Sequence, residues 1–184
     1  VMVSTGGSRG LYPIRVSDDL AHWEHVGYVF PRGTEPSWYD SAAWAPEMHR
    51  IGSRYAVFFS AKSKATGKMA LGIATSDTAM GPFVDRGAPI LGESPIGAID
   101  SHYFHDPADG RHYMIWKQES NGLPPAGTPI YAQELSVTAS VSGSGGDTFA
   151  LIGERTELIR NDLPWEANLV EGPWMVARDG LYYL

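Results

Sequence analysis

At 184 residues, 43% of them hydrophobic, the chain is long enough for one domain with a sizeable core. Its net charge of -7, with Lys and Arg scattered rather than clustered, argues against nucleic acid and anionic membrane surfaces as partners. The absence of cysteine excludes a disulfide framework and thiolate metal sites, and no apolar run approaches the ~18 residues of a membrane span.

Taken in order, Val1 to Thr5 reads as the second strand of a hairpin. Leu11 to Val16 alternates and stops at Ser17-Asp18, and Trp23 and Gly27 mark a further short strand and its exit. Trp44 to Ala61 (WAPEMHRIGSRYAVFFSA) is a hairpin turning at Ile51-Gly52-Ser53. Met69 to Thr75, followed by Ser76-Asp77, Phe83 and Gly87, repeats the phrase of the first segment. Gly97 to Lys117 (GAIDSHYFHDPADGRHYMIWK) is again a hairpin, with Asp100 at its head, a turn at Asp109-Gly110 and Tyr113 to Trp116 as its apolar body. Ile130 to Leu135, closed by Ser136, returns to the phrase a third time. The Gly/Ser-rich run Val137 to Asp147 reads as a surface connector. Val170 to Leu184 (VEGPWMVARDGLYYL) places Glu171 before an Asp179-Gly180 turn and a Tyr-rich strand.

The turn glycines mark a repeat, and two unrelated markers, the serines and the Trp23/Phe83 pair, keep one period. Each turn glycine stands three residues before a tyrosine: Gly52 and Tyr55, Gly110 and Tyr113, Gly180 and Tyr183. Ser17, Ser76 and Ser136 recur every 59 or 60 positions, as do Trp23 and Phe83. A unit of about 60 residues with four short strands is the signature of a β-propeller blade. No apolar helical period is sustained, and the 21 glycines and 13 prolines fit frequent turns. The expected fold is therefore all-β, an arc of four-stranded antiparallel blades.

WAPE at Trp44 to Glu47, the aspartate within GAIDSHYF and the glutamate within VEGPWMV resemble the successive blade-opening motifs of family 43 glycoside hydrolases. VSDDLAHWEHVG (Val16 to Gly27) and ATSDTAMGPF (Ala74 to Phe83) are similar to the segments that close that family's first two blades. The resemblance spans the whole chain in order. It implies a five-bladed propeller acting on arabinose- and xylose-containing polysaccharides (arabinan, arabinoxylan, xylan) by inversion. In such an enzyme one carboxyl group protonates the leaving oxygen and a second activates water from the opposite face, ~6.5 to 9.5 Å away. By this analogy Glu171 is the general acid, with Val170, Pro173 and Trp174 placed to strip water from it. Asp100 is the carboxylate that orients the acid and keeps its pKa high.

The resemblance also puts the general base on the inner strand of the first blade, before Val1, and the remainder of the propeller after Leu184. The expectation is thus a fragment: blade 1 from its second strand, blades 2 and 3 complete, and the first half of blade 4, inactive on its own. It implies no required cofactor, while allowing a calcium ion on the propeller axis whose ligands the sequence does not identify. The compartment stays open, with an extracellular or periplasmic site expected and a cytoplasmic one as the alternative.

An isolated acid at a strand end ordinarily caps a turn, and it is the repeat phase that sets Asp100 and Glu171 apart. Glu47 is divided between a pocket residue and a structural hydrogen-bond partner. Trp44 and Trp38 are candidate stacking platforms for sugar rings, whereas Tyr55, Phe58, Phe59, Tyr113, Trp116, Tyr182 and Tyr183 read as blade-to-blade core. His102, His105 and His112 do not have the spacing of a zinc site, because His102 and His105 point to opposite faces of one strand. Two other readings stand beside the hydrolase: a propeller that binds sugar without cleaving it, and a retaining five-bladed enzyme acting on fructans, whose carboxyl groups would lie only ~5 to 5.5 Å apart.

Overall fold

The computed structural model describes residues 1–92, 96–121, 127–138 and 148–184. Most of the connector expected at Val137 to Asp147 lies outside them, although Val137 and Thr138 themselves belong to a strand. The first sheet orders β1 (Met2–Val3), β2 (Gly10–Val16) and β3 (Glu24–Pro31). The second orders β4 (Tyr39–Ile51), β5 (Arg54–Ser63), β6 (Met69–Ser76) and β7 (Val84–Asp85). The third orders β8 (Ala98–His105), β9 (His112–Gln118), β10 (Ile130–Thr138) and β11 (Thr148–Ile159). A single 3-10 turn at Pro164–Glu166 leads to the hairpin of β12 (Val176–Arg178) and β13 (Leu181–Tyr183).

Every pairing is antiparallel between neighbours in the chain, so each sheet is a meander and the molecule is a partial β-propeller. Gly52, Gly110 and Gly180, the turn glycines of the repeat, all have positive φ, which a hairpin turn needs and glycine supplies without strain. Ser17 and Ser76 close their strands by accepting backbone N–H groups from Leu20 and Thr78, which explains their shared period. Gly27 departs from expectation. It lies inside β3, opposite Ile14 and beside a bulge, rather than at the strand's exit.

The cores follow from the two faces of the second sheet. Along β5, Val57, Phe59 and Ala61 point one way and Ala56 and Phe58 the other, with the period of two that a pleated strand imposes. The first set packs with Tyr12, Ile14, Val29 and Phe30 of the first sheet. The second packs with Tyr103, Met114, Trp116, Leu135 and Phe149 of the third. Phe59 is seated on Gly72 of β6, where a Cβ would lie 2.3 Å from its ring and 2.7 Å from that of Trp38. Trp38 is buried there, stacked on Phe59 with ring centroids 5.8 Å apart, and its indole N–H donates to the Asp85 carboxylate at 3.3 Å.

Phe58, Phe59 and Trp116 are in the core as expected. Tyr182 and Tyr183 are not: each is 53% exposed, because β13 is the outer strand of a two-stranded sheet. Tyr182 is tied down at its tip instead, its hydroxyl donating to Asp106 at 2.8 Å.

Candidate active site

One local device recurs where each inner strand begins. In β4, Trp44 pairs with Ser60 and Glu47 with Phe58, and in β8, Ile99 pairs with Lys117 and His102 with Ile115. Three residues thus oppose two, a bulge that turns the strand and redirects its side chains. The residue after the start of each bulge is left-handed: Ala45 at φ 43° and Asp100 at φ 55°. Gly172, at φ 66°, holds the matching place in VEGPWM, between Glu171 and Pro173. Left-handed backbone strains a side-chain-bearing residue, Asp less than most. Hydrogen bonds hold it here: the Asp100 N–H donates to Ser60 Oγ at 2.9 Å, and the Ala45 N–H to Thr5 Oγ1 at 2.9 Å.

These bulges deliver their side chains to one place. Thr5, Trp44, Ala45, Ile99, Asp100 and Glu171, together with Glu119 and Asn121, line a cleft of about 440 Å³. Asp100 and Glu171 meet there from different blades, and the Asp100 carboxylate accepts the Gly172 N–H at 3.2 Å. Partial burial raises the Asp100 pKa, helped by the negative charges of Glu171 and Glu119 and opposed by the Gly172 N–H and the Lys117 ammonium. Lys117, at the end of β9, has a side chain with no solvent exposure. Its Nζ lies 3.3 Å from Glu171 Oε2 and 3.4 Å from Glu119 Oε2.

The surroundings of Glu171 differ from those anticipated from its apolar neighbours. Half of its side chain is exposed, Pro173 is buried, and Trp174 turns away to lie 4.5 Å from the His102 ring. The group against Glu171 is an ammonium, not a hydrophobic wall. Trp44, 43% exposed, lines the cleft and a neighbouring hollow of about 390 Å³ reached past Glu119. Trp38 does not line the cleft, because it is part of the core against Phe59. Glu119, Asn121 and Lys117 were not among the sequence candidates. Lys117 is the last residue of the hairpin that drew attention to Asp100, Glu119 and Asn121 follow it, and a lysine closing an apolar run was the available signal.

Glu47 lies deeper. Its carboxylate accepts from His102 Nδ1 at 3.0 Å and contacts His49 Nε2, while His102 Nε2 lies 3.3 Å from the Met175 carbonyl oxygen. Burial lowers the His49 pKa against the pull of Glu47. Glu47, His102 and Trp174 each stand two residues beyond the left-handed residue of their own bulge, so the repeat that aims acids at the cleft also stacks these three beneath it. The result joins the strand carrying Asp100 to the segment carrying Glu171. Glu47, His49 and His102 bring a carboxylate and two imidazoles within 4.8 Å of one another. Calcium prefers about six to eight oxygen ligands, and that donor set does not fit it. His105 and His112 are apart from this group, stacked on each other at 4.7 Å.

Successive antiparallel blades that bring acids from distant parts of the sequence to a shared cleft define a propeller with the outline of a carbohydrate-active site. The model of the glycosyl hydrolases family 43 matches residues 1–184. A probable arabinan endo-1,5-alpha-L-arabinosidase A of Aspergillus clavatus is 34% identical over 170 residues, which cover 88% of this chain and 46% of that protein. The xylosidase/arabinosidase 43A of Humicola insolens is 30% identical over 130 residues, covering 68% of this chain and 37% of its own length. The crystal structure of a thermostable family-43 glycoside hydrolase superposes on 98% of this chain and 57% of its own at a TM-score of 0.82 and 24% identity. The chain belongs to glycosyl hydrolase family 43. It spans less than half the length of these two curated relatives.

Proposed function

We propose that this chain is the larger part of the catalytic propeller of an inverting glycosidase that cleaves α-L-arabinofuranosyl or β-D-xylosyl linkages of plant cell-wall polysaccharide. Glu171 is the general acid, and Asp100 is the carboxylate that orients it and maintains its proton. The general base is an aspartate on a strand preceding Val1, completing the first blade, and the rest of the propeller follows Leu184. Trp44 offers a sugar ring a flat apolar face at the cleft.

The observation that carries this reading is the meeting of Asp100 and Glu171, 71 positions apart, in one sugar-sized cleft, tied by the bond from the Gly172 N–H to the Asp100 carboxylate. After partial burial, the negative charge of Glu171 contributes to the raised pKa of Asp100, which supports the two carboxyls acting on one another across the cleft. The relatives' names, an arabinosidase and a xylosidase/arabinosidase, support the substrate class.

The test uses the whole enzyme, assayed on oligosaccharides and on aryl arabinofuranosides and xylosides with good leaving groups. Glu171→Ala should lower turnover of the oligosaccharide by about 10²- to 10⁴-fold and that of the activated aryl glycosides far less, because a good leaving group departs without a proton. An equal loss on both substrates would remove Glu171 from the role of proton donor.

A further inference from the structure

Lys117 lies behind the cleft wall in contact with Glu171, the proposed acid/base scheme has no use for it, and its placement is unusual. A lysine side chain buried in full is rare, since removing an ammonium from water is costly unless carboxylates compensate. Here two do, Glu171 at 3.3 Å and Glu119 at 3.4 Å. The apolar strand β9 fixes the stem: Met114, Ile115 and Trp116 are buried immediately before it, and Lys117 pairs with Ile99 at the bulge that carries Asp100. The ammonium therefore comes from a rigid element, whereas Glu171 sits outside any strand and is half exposed. A half-exposed carboxyl outside any strand is thus met by a cation from a buried strand.

We propose that Lys117 is a positioning residue that holds Glu171 at the cleft and, together with Glu119, sets the pH at which Glu171 gives up its proton. The inference rests on the reading of Glu171 as the general acid. Among the described residues, the charged groups facing Glu171 are Lys117 from β9, Glu119 just beyond it and Asp100 from β8. Asp100 favours the protonated acid and Lys117 the carboxylate. Glu119 takes up part of the Lys117 charge and is anchored in turn by the Asn121 amide at 3.1 Å. Glu119 thus shares the Lys117 ammonium with Glu171.

The experiment is the pH profile of kcat/KM and kcat for the whole enzyme on an oligosaccharide with a poor leaving group, where proton donation limits the rate. Lys117→Met keeps the length and removes the charge. Its basic limb should move up by ~1 pH unit, the smaller end of what a nearby opposite charge produces, with kcat down about tenfold and KM within a factor of two or three. Lys117→Arg should return the limb toward its original position. Glu119→Gln, which leaves Lys117 to act on Glu171 alone, should move the limb down, and it provides an independent reading if Lys117→Met does not fold. Basic limbs that stay in place for the folded variants, in an enzyme whose Glu171→Ala form has lost oligosaccharide turnover, would overturn the role of Lys117 and leave the general acid intact. If Glu171→Ala retains oligosaccharide turnover, the functional reading itself falls.

Discussion

Two glutamates introduced by the same repeat meet opposite fates. Glu47 follows the left-handed residue of its bulge and points down, between His49 and His102, where it joins two blades. Glu171 precedes the left-handed residue of its own segment and points into an open cleft against a buried lysine. Position relative to the bulge decides which acid serves packing and which is left free for chemistry. Three residues are enough to change the outcome, because a bulge redirects successive side chains to different surroundings.

The contrast is sharpest when each acid is removed. The largest effect should be the loss of oligosaccharide turnover in Glu171→Ala, with a loss of about 1 kcal/mol in unfolding free energy, since Glu119 remains to compensate the buried Lys117 ammonium. Glu47→Ala should reverse the pattern. It strips the buried partner from His49 and His102 and should cost about 3 kcal/mol in denaturant unfolding, while KM of the folded fraction stays near that of the parent enzyme. If Glu47→Ala instead raises KM sharply without loss of stability, Glu47 belongs to the substrate pocket and the distinction between the two acids collapses.

A smaller cost is expected at the inner packing layer. Gly72→Ala would drive a methyl group into the rings of Phe59 and Trp38 and should destabilise by about 1–3 kcal/mol. An equal loss of turnover and stability there would show that Trp38 has a part in substrate binding beyond its place in the core.

The smallest effect tests the sign of the electrostatics at Asp100. Its pKa is raised on folding above the ordinary 3.8, so ionising it costs the folded state more than the unfolded one. The native protein therefore loses stability as pH rises through the interval above 3.8 and is free of this cost below it. Asp100→Asn, which keeps an acceptor for the Gly172 N–H and tolerates left-handed backbone, should melt higher than the parent protein near neutral pH. The difference should close as pH falls below 4, while activity is lost throughout. A melting advantage that grows toward acid pH would contradict the burial of this carboxyl.

Much of this was legible in the residues. The recurrence of Ser17 and Ser76 and the glycines three positions before tyrosines gave the hairpins and the four-stranded unit, because turn chemistry and strand alternation are local, whereas Ser136, expected to close its strand, lies inside β10 opposite Ala150. The acids at 100 and 171 stood out for the same reason: they lead copies of one phrase. The environment of each acid was decided by the folded chain alone. Val170, Pro173 and Trp174 adjoin Glu171 in sequence, yet a proline and a left-handed glycine turn the tryptophan toward His102, and the contact is made by Lys117, 54 positions away. Trp38 and Trp44, six residues apart, part company because one finds the face of Phe59 and Gly72 and the other reaches an open edge. Period and turn are properties of neighbours along the backbone and can be read from the sequence. Which side chains share a cleft depends on how the sheets pack, which no local pattern encodes.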